Sequence, residues 1–394
     1  MLAIPAYTAC KTWEHRVVDP ESTLARLLPK CADFGITRLA DLTDLDRVGI
    51  PIFQAIRPMG LSLSMSQGKG ATAAASKVSA LMESIEVWHA EHESVPTQHK
   101  KYSDMPPTQT LSPLLFRKRN VECCCADDAM LWCAGEDLCH GSEFFVPKDA
   151  VNLDFTRSAE PCWLFRNTNG LAGGNSIAEA TASALAEVIE RDCKADFHAM
   201  SETQKSTRRL CLDHLSKSSP KLADLIERIQ AADLCLDVFD MTNEIGVFAA
   251  EAAIYETGVT APVHWPALGN GAHLDPITAL MRAIAEAAQS RLAYISANRD
   301  DLSPDYYTRA NTSNLLLAFD AGFDRLGSQR RVDLDDQSTA SPEADVDAML
   351  SRLIDCRKGP VIRVDLSKPE HGIPVVKVLA PTLKNKVPRR SLRP

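Results

Sequence analysis

The sequence predicts an α/β protein in which mixed sheets pack against long helices. Three observations carry that expectation. The chain has 394 residues, 45% hydrophobic and 24% charged, an ordinary composition for a globular protein with a large core. Three long stretches, 71–93, 176–200 and 275–298, carry helical patterning. Between them, short apolar or alternating runs bounded by turn residues read as strands.

In chain order, Pro20–Lys30 reads as a short helix, and 35–40 and 49–57 as strands. A Ser/Gly-rich turn follows, with Ser62, Ser64, Ser66, Gly68 and Gly70. It leads into the first long helix, which is rich in Ala and holds no Gly or Pro. Residues 96–113 read as loop and 119–165 as strand-like pieces. The turn 169–175 feeds the second long helix. Residues 221–232 are helical, 235–239 and 246–255 alternate like paired strands, and Asp275 opens the third long helix. Residues 303–345 read as loop with a short helix near 312–319. A helix at 345–355 and strands at 361–365 and 374–379 close the pattern. A Gly-containing turn feeding a helix with spaced glutamates occurs twice, at 71–93 and at 176–200, a hint of internal repetition.

The charge balance is acidic, Lys+Arg 43 against Asp+Glu 52, a net charge of -9. That argues against a nucleic-acid binder, since the only basic cluster is the tail with Lys384, Lys386, Arg389, Arg390 and Arg393. The N-terminus lacks a signal-peptide pattern, and no uncharged apolar run reaches the ~18 residues of a membrane span. A cytoplasmic protein with reduced cysteines is therefore expected, and no membrane partner. Cys123, Cys124, Cys125, Cys133 and Cys139 form a cluster without a CxxC pair, so they read as thiols rather than zinc ligands.

Helix geometry sorts the glutamates. At about 100° per residue, Ile85, Trp88, Val78 and Ala74 lie within about 70° of Leu81 and form the buried stripe. Ser79, Glu83 and Glu86 line up at about 140–200°. On the second helix, Val188 and Ile189 side with Leu185, while Glu179, Glu187 and Glu190 line up at about 120–200°. One reading is a solvated helix face. For Glu179 another is a capping box with Ser176. Against the solvated face stand the scarcity of basic residues at i±4 and the alanines on the other faces. Enclosed carboxylates need cations, and Mg²⁺ is a natural partner for oxygen ligands. Ser66-Gln67-Gly68-Lys69-Gly70 and Gly173-Gly174-Asn175 precede the two helix N-termini, where backbone N–H groups can meet phosphate. On the third helix Arg282, Glu286 and Gln289 share a face and Arg291 lies opposite Arg282. Either arginine can clamp a phosphate, and an Arg282–Glu286 pair within the helix is the alternative.

Together these segments resemble the YcaO-domain family of ATP-dependent enzymes that modify peptide backbones. The resemblance rests on Ser66-x-Gly68-Lys69-Gly70; Ser79 with Glu83 and Glu86; Asn175 and Glu179 followed by Glu187, Glu190 and Arg191; Glu286 to Arg291; and His371-Gly372-Ile373-Pro374-Val375-Val376. It spans roughly 50–300 and 360–381. It implies a YcaO-type fold with an ATP/Mg²⁺ site between helices. It also implies one catalytic domain over 61–381, an N-terminal segment 1–60 packed on it and a basic tail 382–394. By motif, Glu83, Glu86, Glu187 and Glu190 are the implied catalytic, metal-holding carboxylates. Ser66, Lys69, Ser79, Asn175, Glu179 and Arg191 are the implied nucleotide contacts, with Arg282 and Arg291 as further phosphate candidates.

In the family a nucleophile attacks a backbone amide carbonyl, and ATP phosphorylates the resulting oxyanion so that phosphate can leave. The products are azolines, thioamides or amidines. The chain lacks the Pro-x-Pro-x-Pro ending of many azoline-forming members. It resembles members that form thioamides beside a TfuA-like partner, with a precursor peptide or protein as substrate. A standalone azoline-forming cyclodehydratase with a separate recognition protein is the alternative. A non-catalytic nucleotide-binding scaffold is a second one, and a homodimer is kept as an option.

Overall fold

The structure is a computed structural model that describes residues 10–11, 15–116, 127–158, 164–256, 266–297 and 329–384. It opens with α1 (Pro20–Leu27), capped by Asp19, whose side chain accepts the Ser22 N–H. Strands β1 (Arg38–Asp41), β2 (Ile52–Ile56) and β3 (Met65–Lys69) form an antiparallel sheet in the order β1-β2-β3. The long helix α2 (Ala73–Glu91) follows, with Thr72 as its cap. Next come β4 (Thr97–Lys100), β5 (Met130–Asp137), β6 (Ser142–Pro147) and the short β7 (Leu171–Gly173). The second long helix is α3 (Ile177–Ala199), followed by α4 (Glu202–Ser206), α5 (Leu212–Ser218) and α6 (Pro220–Ala231). Strands β8 (Cys235–Asp240), β9 (Phe248–Tyr255) and β10 (Ala267–His273) make a second antiparallel meander. It leads into α7 (Pro276–Ser296), then α8 (Pro342–Asp355), β11 (Ile362–Asp365) and β12 (Val375–Leu379).

The last two strands return to the middle of the molecule. The six-stranded sheet runs β4-β5-β11-β12-β7, with β6 paired to β5. Helix α2 touches β2 and β3 on one side and β7 on another; α3 touches β7, β12, β10 and α8; and α7 lies across β9 and β10 and reaches β3. The three long helices thus sit between sheets, which explains their alanines. Ala80, Ala184, Ala283 and Ala287 are fully buried.

Glycine makes this packing possible. A Cβ at Gly68 in β3 would stand 2.1 Å from the Ala80 N, and one at Gly269 in β10 would stand 2.1 Å from the Ala287 N. Each glycine lets its sheet lie directly on a helix backbone.

Several expectations change. The Ser/Gly-rich stretch is not only a turn, since residues 65–69 form β3, paired with β2 from Ile52↔Lys69 to Ile56↔Met65. The expected division at residue 60 falls in the turn between these two paired strands. The loop at 96–113 contains β4. The repetition is present, but it pairs β1–β3 plus α2 with β8–β10 plus α7 rather than α2 with α3. The eight described cysteines are free thiols, and burial pushes Cys133 and Cys193 up to about 12. No described helix is long and apolar enough to cross a membrane. The helix near 312–319, Cys123 to Cys125, and Lys386, Arg389, Arg390 and Arg393 lie outside the described residues.

Candidate ATP and magnesium site

The turn before α3 organises the carboxylates. Gly173 N–H donates to Glu86 Oε1 at 2.6 Å, and Gly170 N–H donates to Glu187 Oε2 at 3.2 Å. Strand β7 and the turn residue just before it therefore orient a glutamate from each of two helices. A side chain at Gly173 would crowd Met82 Cε and Glu86 Oε1, both ends of flexible side chains. Glu83 lies one turn before Glu86 on α2 and is exposed, and Ser79 is half-buried one turn earlier. Desolvation pushes Glu86 up to about 8, with repulsion from Glu83 and Glu187 adding to it against the Gly173 hydrogen bond.

Glu190 lies further along α3, buried at 9% exposure. It is pushed up to about 7 by desolvation and then by Glu286, while Arg191 and Lys69 pull it down. Lys69, at the end of β3, pairs with Glu286 on α7, which also accepts from the Asn270 backbone and side chain. Desolvation and Lys69 act on Glu286 in opposite directions, and the net shift is downward. Arg191 reaches Glu187 at 3.4 Å, and the neighbouring glutamates raise its pKa against desolvation. Lys377, fully buried in β12, donates to the Asn167 carbonyl at 2.6 Å; desolvation lowers it to about 7 while Glu187 pulls it up.

The N-terminal end of α3 is a second pole, rich in guanidinium groups. Asn175 Oδ1 accepts from Arg26 at 2.6 Å and from Thr23 Oγ1 at 3.2 Å. Glu179 is 4% exposed and accepts from Arg16 at 2.8 Å, from the Val17 N–H and from Asn175. Arg282 stands nearby: desolvation and then Arg16 lower it to about 10, while Glu190, Glu179 and Asp275 pull upward. A small pocket here is lined by Arg16, Glu179, His273 and Arg282, among others.

The structure thus brings Glu83, Glu86, Glu187, Glu190, Lys69 and Arg191 to one arc, and Asn175, Glu179 and Arg282 to its neighbour. Ser66 is 7% exposed within β3 and Gly68 is packed on α2, so this stretch is a strand and not an N–H cradle for phosphate. Arg291 is elsewhere. It is 2% exposed and paired with Asp46 at 2.7 Å and with Glu256, a core ion network on the opposite face of α7. Glu286 pairs with Lys69 rather than with Arg282. Ser176 caps α3 by accepting the Glu179 N–H, but the Glu179 carboxylate turns to Arg16 and Val17. Sequence reasoning missed Arg16 and Arg26, which come from a segment with no motif spacing to the helix they meet. It also kept Glu286 out of the site, offering it only as a partner for Arg282, whereas it pairs with Lys69.

One other cluster has metal-ligand residue types: His15, His273 and Asp275 lie within 4.8 Å of one another. Their hydrogen bonds are already committed. Asp275 caps α7 and accepts from His15, and His273 Nδ1 accepts the Asp275 N–H at 2.9 Å. Burial keeps His273 neutral, so its Nε2 carries the proton and is closed to a cation. This triad is a helix cap that ties down the N-terminal segment.

The oxygens of Glu83, Glu86, Glu187 and Glu190 do not gather as tightly as that triad, the only such group found among the described residues. The spacing suits Mg²⁺, which is usually held by one or two carboxylates plus phosphate oxygens rather than by an all-protein cage. The raised Glu86 and Glu190 mark a donor set whose ionised form needs a cation.

Fold and site together define a class: α/β proteins in which packed helices gather carboxylates and guanidinium groups at one place. The chain belongs to the YcaO family, whose model, described as "YcaO cyclodehydratase, ATP-ad Mg2+-binding", matches residues 67–384. ATP and Mg²⁺ are its cofactors. The chain is 32% identical over 380 residues to a protein in the tfuA 3′ region of Rhizobium leguminosarum bv. trifolii, covering 94% of this chain and 89% of that one. A solved heterocyclase in complex with substrate and cofactor matches with a TM-score of 0.77 at 21% identity. That match covers 95% of this chain and 53% of the heterocyclase, so the chain spans about half its length. The YcaO protein of Methanopyrus kandleri, solved with AMPPCP and Mg²⁺, matches with a TM-score of 0.69 at 23% identity, covering 93% of this chain and 91% of that one. At such identities the solved structures speak for the fold.

Proposed function

We propose that the chain uses ATP and Mg²⁺ to modify a backbone amide of a peptide or protein, forming a thioamide beside a TfuA-like partner. The observation that carries the ATP-dependent part is the carboxylate arc of α2 and α3, oriented by the Gly170 and Gly173 N–H groups. Glu83, Glu86, Glu187 and Glu190 hold the metal in this reading. Lys69, Arg191 and Arg282 face phosphate oxygens, and Arg16 and Arg26 join them from the N-terminal segment. Asn175, Glu179 and Ser79 frame the rest of the nucleotide.

Bound Mg–ATP supplies the phosphoryl group that turns an amide oxygen into a leaving group. The chain's own residues position and neutralise. Gly170 and Gly173 fix two carboxylates, so little reorganisation accompanies the reaction. Lys69 and Arg191 offset charge next to Glu190, whose desolvated carboxyl can hold or release a proton near neutral pH.

The tfuA-region relative supports thioamide formation and a TfuA-like partner. The cyclodehydratase description of the family model favours a second reading, azoline formation. The free thiols fit a reducing cytoplasm.

The test combines the chain with candidate peptide substrates, ATP, Mg²⁺, a sulfide source and a TfuA-like protein. Replacement of oxygen by sulfur in the peptide mass is the expected result, and loss of one water would select the azoline reading. Glu83→Ala and Glu190→Ala are each expected to abolish turnover while circular dichroism stays native. Unchanged turnover in both would overturn the assignment.

A further inference from the structure

Lys377 is a buried charge that the proposed mechanism leaves without a role. It lies at 1% exposure in Val375-Val376-Lys377-Val378-Leu379, a strand of otherwise aliphatic residues. Strand alternation puts it on the face of Val375 and Leu379, which belong to the apolar core shared with Leu81 and Ile85 of α2. Lysine is almost never fully buried unless paired. Here the ammonium, with its several N–H donors, makes one hydrogen bond among the described residues, to the Asn167 carbonyl. A methionine would fill the same space without the cost of desolvating an amine. Packing alone gives no reason for the lysine.

The reason lies in what Asn167 begins. Residues 167–170 form the turn that enters β7. Asn167 Oδ1 accepts the Asn169 N–H at 2.9 Å, and the Thr168 carbonyl accepts the Leu171 N–H at 2.9 Å. Beside Lys377, the Val378 N–H donates to the Gly170 carbonyl at 2.7 Å. Lys377 and Val378 thus hold the two ends of the turn, one by its side chain and the other by its backbone. The Gly170 N–H is left for Glu187, whose Oε2 accepts it at 3.2 Å. Glu187 in turn favours the charged form of Lys377. Lysine and glutamate are therefore linked through the turn by hydrogen bonds and across it by charge.

We infer that Lys377 is a positioning residue for Glu187: by holding the Asn167 carbonyl it fixes the turn whose Gly170 N–H aims that carboxylate into the arc. The inference rests on the proposed reading of Glu187 as a magnesium carboxylate. Lys377 touches neither metal nor nucleotide in it and acts only through the turn. Groups that orient metal-holding side chains in this way typically contribute about ten- to hundredfold in metal affinity.

The test has a structural arm and a binding arm. In amide NMR spectra of the full chain without nucleotide, Lys377→Met is expected to move the Gly170 amide proton upfield, in the direction that Glu187→Gln moves it, and to move Gly173 far less. With a non-hydrolysable ATP analogue, the Mg²⁺ concentration for half-maximal binding is expected to rise about tenfold in Lys377→Met. On a Glu187→Gln background Lys377→Met is expected to add nothing, while on a Glu86→Gln background it still raises the requirement about tenfold. Lys377→Gln, which keeps a shorter N–H donor, is expected to recover part of both effects. An unmoved Gly170, equal shifts at the two glycines, or the same rise on both backgrounds would overturn the inference. So would loss of the fold in both Lys377 variants, which would make the lysine a core residue and nothing more. A moved Gly170 with an unchanged Mg²⁺ requirement would uphold the link from Lys377 to Glu187 and overturn Glu187 as a magnesium carboxylate, so the two readings fail separately.

Discussion

Gly170 and Gly173 are three residues apart, and each donates its N–H to a site glutamate. Their backbones differ, and so do the expected costs of replacing them. Gly170 has φ +76, and a Cβ there would stand 2.2 Å from the Val378 carbonyl oxygen, part of β12. Backbone strain and overpacking act together, so Gly170→Ala is expected to lose about 3 kcal/mol or more of stability. Gly173 has no positive φ, and the nearest atom to its Cβ is Met82 Cε at 2.5 Å, the far end of a flexible side chain. Gly173→Ala is therefore expected to cost only about 1 kcal/mol. The same Cβ stands 3.2 Å from Glu86 Oε1, so the variant should bind Mg–ATP about tenfold more weakly. Urea unfolding and nucleotide titration separate the two effects. Equal stability loss in both variants would refute the distinction.

The long helices were legible in the sequence because alanine-rich patterning and caps are local. Ser176 and Asp275 cap α3 and α7 as expected. The glutamate columns were legible because spacing on a helix fixes direction. Strand β3 was not legible: Ser66, Gly68 and Gly70 look like a turn, and only the packed helix explains why glycine sits in a strand. Arg16 and Arg26 were not legible because the contacts that bring them to α3 span 163 and 149 residues. Arg291 was misread because its partners, Asp46 and Glu256, lie in distant segments. The strand–helix contact yields a prediction of its own. At Gly68 and Gly269 an added Cβ meets helix backbone atoms at 2.1 Å, which cannot swing aside. Gly68→Ala and Gly269→Ala are each expected to cost about 3 kcal/mol or more, by displacing α2 or α7 from its sheet. Native-like melting temperatures in both would mean the sheets can lift without cost.

Across the whole molecule, charge is divided between a carboxylate arc and a guanidinium pole, and stability against pH sums groups of opposite sign. Glu86 has a folded pKa of about 8 against an ordinary 4.5. The folded state therefore holds the extra proton; its contribution is full below about 4.5 and lost as pH rises through about 8. Glu190 behaves alike up to about 7. Burial lowers His273 and takes His89 to about 4; their contributions are present above about 6.5 and lost as pH falls through the folded values. Lys377, lowered to about 7 from 10.5, likewise loses stability as pH falls through about 7. The parent's own curve mixes these slopes, so the informative quantity is a difference. In EDTA, the melting temperature of Glu86→Gln is expected to gain on the parent steadily from pH about 5 to about 8. Mg²⁺ with a non-hydrolysable ATP analogue selects the ionised carboxylate. Its stabilisation of the parent should therefore grow between pH about 6 and about 8, and grow less in Glu86→Gln. A pH-independent difference between parent and variant would show that Glu86 ionises freely in the fold, and the arc would then lack the electrostatic tension that calls for a cation.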